Sequence, residues 1–218
     1  PRRTETAEIA DTHLFVKPGS DALLLLAMLQ VILAEGLVAP GALADRLDGL
    51  DQAREFCRPY SPESVAAATG TDPHQVRELA RDFARAESAV CYGRMGVSTQ
   101  QFGALCQWLI QLLNIVTGNL DRPGGAMFTR PAFDILGLAA GFGQRGSFDK
   151  RRTRVRGLPE FGSEFPVSAL AEEILTPGQG QIRALVTAAG NPVLSTPNGR
   201  RLEEALSGLE FMVSIDFY

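Results

Sequence analysis

The sequence has few cysteines and histidines and no hydrophobic run long enough to span a membrane. Its three cysteines, Cys57, Cys91 and Cys106, show neither CxxC nor Cys/His spacing, which argues against a disulfide framework and a zinc site. The only long apolar stretch, Ala22 to Leu37, contains Gln30 and is shorter than the ~20 residues that a membrane span requires. No secretion signal is present, so we expect reduced thiols and a cytoplasmic location.

An excess of positive charge is also missing. Lysine and arginine number 21 against 25 acidic residues, which gives a net charge of −4 and a pI of about 5.3. The chain therefore has no overall electrostatic attraction to nucleic acid or to an anionic membrane. The motifs of α/β-hydrolases, P-loop proteins, dinucleotide-binding Rossmann domains and zinc proteases are absent as well. We expect His13 and His74 to be structural, because neither belongs to a nucleophile motif.

Strand and helix patterns alternate in two parts of the chain. A strand-like run at Ser88 to Tyr92 precedes a glycine loop and a predicted helix at Thr99 to Val116. A second unit has a strand-like run at Ile182 to Ala188, a helix at Asn198 to Leu206 and a strand at Glu210 to Ile215. Units of this kind predict an α/β fold with Rossmann-like parallel strands flanked by helices.

Helix signals dominate the first third of the chain. A strongly apolar helix is predicted from Asp21 to Glu35, with Gly36 at its end, and it should be mostly buried. Two shorter amphipathic helices begin at Ser61-Pro62 and at Asp72-Pro73, where a capping residue precedes proline.

The segment 129–164 is rich in glycine, phenylalanine and arginine and has no sustained period. It is interpreted as a long loop or insertion. Its run Lys150 to Arg156 is the one basic cluster of the sequence. Such clusters are usually solvated, so we expect a mobile, protease-sensitive face without apolar anchors. The alternative is a rim that steers anions towards a site.

Three glycine loops are candidates for ligand binding: Gly93 to Gly96 with Thr99, Gly118 to Gly125, and Gly190 to Ser195. In parallel α/β sheets, ligands lie beyond the carboxyl ends of strands, where glycine lets backbone amides approach phosphates. A single loop of this kind is most often only a turn or a cap. Three in one chain favour a dinucleotide site.

Two aspartates lie at positions where their carboxylates could bind the guanine base of a nucleotide. The run Lys17-Pro-Gly-Ser-Asp21 places a carboxylate at a helix start after a tight turn. A carboxylate is a bidentate acceptor for the N1–H and N2–H donors of guanine. Asp21 could equally be a helix N-cap, and Asp216, at the end of the last strand, has a similar ambiguity.

In chain order, these segments resemble the molybdopterin oxidoreductases of the dimethyl-sulfoxide-reductase type, which include formate dehydrogenases and nitrate reductases. The matching segments are Pro1 to Asp11, Lys17 to Asp21 with its apolar helix, Tyr60 to Val65, Met95-Gly96, Thr117 to Gly125, Gly190 to Pro192, and Val213 to Asp216. The resemblance covers most of the chain except about 129–164. An ordered series of this length is more specific than any one motif.

The resemblance implies a molybdenum or tungsten ion held by the dithiolenes of two molybdopterin guanine dinucleotides. It assigns a guanine contact to Asp21 in a loop shaped by Gly19 and Ser20, a pterin contact near the metal to Met95 and Gly96, a cofactor loop to Asn191, and a contact with the second nucleotide to Ile215 and Asp216. Related enzymes often have glutamine where this chain has Thr99. We therefore expect Thr99, or Gln100 or Gln101 in its place, to supply the polar contact there.

The resemblance also implies a division of the chain. Residues 1–87 would be the helix-rich part of one dinucleotide-binding α/β domain, 88–128 a strand-loop-helix unit of a second, 129–164 an insertion, and 165–218 the rest of the second domain. The chain would be an internal fragment, inactive on its own. The family's iron–sulfur cysteines, its metal-ligand residue and its C-terminal β-barrel domain would all lie outside it.

The expected function is therefore part of a two-electron oxidation or reduction, or an oxygen-atom transfer, of a small substrate such as formate or an oxyanion. The expected partners are the pterin cofactor, the rest of the polypeptide and an electron-transfer subunit. The alternative is a non-catalytic nucleotide-binding or interaction module of the α/β class.

Overall fold

The computed structural model describes residues 2–129, 131–144 and 146–217, so Pro1, Arg130, Arg145 and Tyr218 lie outside the described residues. The chain divides into two units, residues 1–130 and 131–218. The first holds helices α1 Glu5–Ile9, α2 Asp21–Ala34, α3 Leu50–Cys57, α4 Pro62–Thr69, α5 Pro73–Arg85, α6 Met95–Ser98 and α7 Gly103–Val116. The second holds helices α8 Ile135–Gly141, α9 Leu170–Leu175, α10 Pro192–Ser195 and α11 Gly199–Ser207, with strands β1 Phe148–Arg152, β2 Pro159–Phe161, β3 Ala184–Ala188 and β4 Phe211–Ile215.

Helix α2 is the centre of the first unit. Helices α3, α4, α5 and α7 all pack against it. Because α2 is apolar on nearly every side, it can be surrounded in this way, and Leu29, Val31 and Ile32 have no exposed surface. The prediction of a buried helix from Asp21 is confirmed.

Local capping signals define α4 and α5 where they were predicted. The Ser61 hydroxyl accepts from the N–H of Ser64, and Asp72 accepts from the N–H of His74. Arg81 binds the Glu35 carboxylate with Nε at 2.8 Å, which fastens α5 to the end of α2. The hydrogen bond from Arg81 lowers the pKa of Glu35.

The predicted strand at Ser88 to Tyr92 is wrong. The segment has no strand partner within the described chain, and its backbone is bound instead by the side-chain amides of Asn114 and Asn119. Helix α7 also begins later than predicted, at Gly103, because the short helix α6 and a turn occupy the preceding residues.

The second unit contains the parallel pair. Strands β3 and β4 run parallel, with Val186 opposite Val213 and Thr187 opposite Ser214. The α/β class with a parallel strand pair is confirmed. Helices α9 and α11 pack together through a small core that includes Ile174, Leu202 and Ala205.

The segment 129–164 has structure of its own, namely α8 and the antiparallel pair β1–β2. Its basic run is held by ion pairs rather than by apolar contacts, and these argue against the expectation of a mobile face. Arg151 pairs with Glu160 at 2.6 Å, Arg154 with Glu173 at 3.4 Å, and Arg156 with Glu172. All three glutamates are buried. The assignment of 88–128 to the same domain as 165–218 stays a prediction.

Candidate functional site

The turn before α2 is built on the end of α4. The backbone N–H of Lys17 donates to the carbonyl of Thr69 at 2.8 Å, and its ammonium donates to the carbonyl of Ala67 at 2.8 Å. The last carbonyls of a helix lack intrahelical partners, so a lysine here is well placed to satisfy them. Gly19, at φ +83°, allows the tight turn that follows. Lys17 therefore anchors the loop.

Asp21 is the first residue of α2 and does not cap it. Ser20 occupies the N-cap position, yet its hydroxyl donates to the carbonyl of Lys17 at 2.6 Å, and no side chain caps the helix. The N-cap interpretation of Asp21 is wrong in this structure. Its Oδ2 accepts from Nε2 of Gln100 at 2.9 Å. Among the described residues, Asp21 forms no ion pair.

The turn formed by α6 approaches Asp21 through Gln100. The Gln100 amide lies 3.3 Å from the carbonyl oxygen of Gly96, besides its contact with Asp21. The hydroxyl of Thr99 turns back to the carbonyl of Met95 at 2.9 Å. The structure thus brings Asp21, Gly96 and Gln100 together, while the polar group of Thr99 is occupied by its own backbone.

The three cysteines of the chain are not activated as nucleophiles. Burial, followed by the negative charge of Asp21, raises the pKa of the Cys106 thiol on α7. Burial raises the pKa of both Cys57 and Cys91 to about 11. All three thiols are free and protonated at neutral pH, and the cluster offers hydrogen-bond donors and one carboxylate rather than a nucleophile.

A cavity lies in the second unit, at the carboxyl ends of β3 and β4. Its volume is about 740 Å³, and its lining includes Gly190, Asn191 and Asp216. Asn191 Oδ1 accepts from the N–H of Val193 at 3.0 Å, which starts the single turn α10. The carbonyl of Ile215 accepts from Ala189, and its side chain is exposed rather than part of the lining.

Two hydroxyl residues of this cavity were missed by the sequence reasoning. Thr187 and Ser214 face each other across the parallel pair and both line the cavity. The Thr187 hydroxyl is buried without a hydrogen-bond partner among the described residues. The signal that could have found them is the alternation of β3 and β4, because every second residue of a strand faces the same side.

The remaining predicted glycine loop, Gly118 to Gly125, is closed by hydrogen bonds between its own ends. The N–H of Ala126 donates to the backbone carbonyl of Asn119. The side-chain Oδ1 of Asn119 accepts from the N–H of Ala89 at 3.2 Å. Next to this loop lies a cavity of about 430 Å³ whose lining includes Tyr92 and Gly93. The loop therefore forms one wall of a cavity in the first unit.

The described ranges contain neither a cluster of metal-ligating residues nor a membrane-spanning helix. No group of three or more histidine, cysteine, aspartate or glutamate residues is arranged there to hold a metal ion. In the same part of the chain, no helix is both long enough and apolar enough to cross a membrane.

Known proteins resemble this chain over part of their length. Formate dehydrogenase H of Escherichia coli is 39% identical over 123 residues, which is 56% of this chain and 17% of that protein. The F420-dependent formate dehydrogenase subunit alpha of Methanocaldococcus jannaschii is 28% identical over 226 residues, covering 100% of this chain and 33% of that one. The assimilatory nitrate reductase catalytic subunit of Bacillus subtilis is 26% identical over 238 residues, covering 100% and 32%. The chain thus spans about a third of the length of the relatives that it matches throughout.

A solved structure shares the fold. Acetylene hydratase from Pelobacter acetylenicus superposes with a TM-score of 0.78 at 22% sequence identity, covering 99% of this chain and 33% of that one. The sequence model of the molybdopterin oxidoreductase family matches residues 1–218. The chain therefore belongs to the molybdopterin oxidoreductase family.

Proposed function

We propose that this chain binds the guanosine portions of two molybdopterin guanine dinucleotides within a molybdenum- or tungsten-dependent oxidoreductase. The observation that supports this best is the state of the Asp21 carboxylate. It lies at the first residue of a 14-residue helix, caps nothing, pairs with no cation among the described residues, and accepts one hydrogen bond, on Oδ2. Such a carboxylate has acceptor capacity left for the adjacent N1–H and N2–H of guanine.

The glycines around both candidate sites leave room for a ligand. A Cβ built on Gly19, Gly96 or Gly190 would meet no atom within 4 Å. In this proposal Gly19 and Ser20 shape the guanine loop, while Met95, Gly96 and Thr99 line the pterin side. The open space supports this assignment, because a backbone that contacts a planar cofactor must not carry a side chain there.

The second nucleotide is assigned to the cavity at the carboxyl ends of β3 and β4. Asn191 and Asp216 line this cavity and would bind it there, and Ile215 would contact it from outside the lining, at the end of β4. The unpartnered Thr187 hydroxyl offers a further polar group. Ligands of parallel α/β sheets characteristically bind at this edge. Both sites combine amides and hydroxyls, which can donate, with carboxylates, which accept, and such a set of polar groups suits a nucleotide.

When bound, a cofactor of this kind supplies the two-electron chemistry, and the protein binds and orients it. The proposed substrate is a small molecule such as formate or an oxyanion. Iron–sulfur clusters, the metal-ligand residue and an electron-transfer subunit would be contributed from outside these residues, and a cytoplasmic location stays a prediction. The alternative is a non-catalytic nucleotide-binding or interaction module.

Guanine selectivity tests the proposal at Asp21. Binding of GDP and ADP is measured calorimetrically for the wild-type chain, for Asp21→Asn and for Asp51→Asn, a control that also removes a carboxylate from the first turn of a helix. We expect the wild type to prefer GDP and Asp21→Asn to weaken GDP binding by about tenfold or more, since a charged hydrogen bond contributes roughly 1.5–3 kcal/mol. ADP binding should not change.

The same variants separate the two functions. Because Asp21 is no cap, Asp21→Asn should alter the free energy of unfolding by no more than about 1 kcal/mol, and the same limit is expected for Asp51→Asn. Equal affinity of the wild-type chain for GDP and ADP would contradict a guanine contact at Asp21 and favour the interaction module.

A further inference from the structure

We propose that Gln100 is a positioning residue for the Asp21 carboxylate, and that guanine selectivity depends on it. This inference rests on the proposed function, because it concerns how the guanine acceptor is held. The role differs from the cofactor contact that the resemblance expects at Thr99, because Gln100 would act on the guanine through Asp21.

The contact between the two side chains has a fixed polarity. An ionised carboxylate only accepts hydrogen bonds, so the Gln100 amide must direct its NH₂ group towards Asp21. That group lies 2.9 Å from Oδ2 of Asp21 and 3.3 Å from the carbonyl oxygen of Gly96. One amide thus joins the start of α2 to the turn of α6.

The amide oxygen of Gln100 indicates that the contact with Asp21 determines the orientation of the side chain. Oε1 of Gln100 is buried and has no hydrogen-bond partner among the described residues. Leaving a buried acceptor unsatisfied is unfavourable. Turning the amide over would place Oε1 against the carboxylate of Asp21, and two acceptors in contact repel each other. The bond to Asp21 therefore outweighs the loss at Oε1.

Without this bond, nothing described would hold the carboxylate in place. Lys17 uses its ammonium at the end of α4, and Thr99 uses its hydroxyl on the carbonyl of Met95. The competing donors for Asp21 would be unpaired N–H groups in the first turn of its own helix, where backbone donors lack intrahelical partners. Gln100 keeps the carboxylate away from these donors. It also leaves Oδ1 open, and Oδ2 retains a second lone pair for a base.

The test measures the ratio of ADP to GDP dissociation constants for the full 218-residue chain. Gln100→Leu removes the donor and retains much of the bulk, and Gln75→Leu is the matched control at an exposed position on α5. We expect the ratio to fall by about tenfold in Gln100→Leu, the effect of losing one charge-assisted hydrogen bond. It should stay at the wild-type value in Gln75→Leu.

Gln100→Glu adds a readout that a merely structural role would not change. At neutral pH the introduced carboxyl is ionised and repels Asp21, so the ratio should fall. At acidic pH the protonated carboxyl can donate again, and the ratio should recover towards the wild-type value. The buried Cys106 thiol near Asp21 stays protonated throughout, because its pKa is raised. GDP and ADP carry the same diphosphate, so its titration cancels in the ratio.

The outcomes distinguish this inference from the proposed function. If the wild type does not discriminate between GDP and ADP, both fall. If the wild type discriminates and Asp21→Asn abolishes this, but Gln100→Leu and Gln100→Glu keep the wild-type ratio at every pH, the guanine contact stands and the role of Gln100 is overturned. A reduced ratio in both Gln100 variants, with recovery of Gln100→Glu in acid, supports the role.

Discussion

The side-chain amide of Asn114 forms hydrogen bonds with both the N–H and the carbonyl of Cys91. Its Oδ1 accepts from the Cys91 N–H at 2.8 Å, and its Nδ2 donates to the Cys91 carbonyl at 2.9 Å. This exchange of one donor and one acceptor is what a residue of a neighbouring strand would provide. Asn119 binds the N–H of Ala89 in the same segment. Asparagines near the end of α7 thus take the place of a strand beside residues 89–91.

Replacing Asn114 should destabilise the first unit strongly. Asn114→Ala would leave the partly buried N–H and carbonyl of Cys91 without partners and a cavity at the fully buried Asn114, and we expect a loss of about 2–4 kcal/mol in the free energy of unfolding. Urea denaturation followed by the fluorescence of Trp108 measures it. The control is Gln111→Ala, an exposed position on the same helix, which should change stability by no more than ~0.5 kcal/mol. Equal effects of the two substitutions would show that the amide contacts contribute little.

The basic run should resist trypsin rather than attract it. Arg154 donates to the carbonyl of Thr176 at 2.7 Å and pairs with the buried Glu173. Glu173 also accepts from the backbone N–H of Val155. Glu173→Ala should therefore increase the rate of cleavage after Arg154 by about tenfold, because the segment opens more often. Mass spectrometry of a limited digest measures this rate.

The control for the digest is Glu203→Ala, at an exposed position on α11. It should leave the rate of cleavage after Arg154 unchanged. Rapid cleavage after Arg154 in the wild-type chain would restore the mobile-face interpretation.

The carboxyl group of Glu160 should titrate at unusually low pH. The hydrogen bond from Ser147, together with the bonds and charge of Arg151, lowers its pKa from 4.5. Because the folded-state pKa is depressed, the stabilisation is present above the unfolded-state value and is lost as the pH falls through the folded-state value. Carbon-13 NMR of labelled glutamate should give a midpoint below 4.5.

Ser147→Ala removes the largest cause of this shift and should move the Glu160 midpoint upwards. A wild-type midpoint at or above 4.5 would contradict the buried ion pair.

The sequence predicted the elements whose signals are local. The caps at Ser61 and Asp72 and the apolar character of α2 depend on neighbouring residues, and they were read correctly. The strand at 88–92 was misread, because its β-type composition says nothing about which partner is available. Asn114 lies 23 positions away and supplies that partner through a side chain.

The candidate site divides in the same way. The turn before Asp21 could be located from glycine, proline and a helix start. The structure shows that Asp21 does not cap its helix and that Gln100, rather than Thr99, contacts it. This contact joins residues 79 positions apart, so no local pattern predicts it. The ion pairs of the basic run were missed because their buried glutamates lie on α9 and β2, outside the run itself. No local pattern contains that information.

The most direct test of the cofactor assignment is made on the native polypeptide that contains this segment. It can be captured from its source with an antibody to these residues, and its mass and its content of molybdenum, tungsten, iron and pterin determined. We expect a chain several times larger than 23.5 kDa that carries pterin and either molybdenum or tungsten. A polypeptide of about this size without metal or pterin would contradict this assignment and leave a non-catalytic nucleotide-binding module.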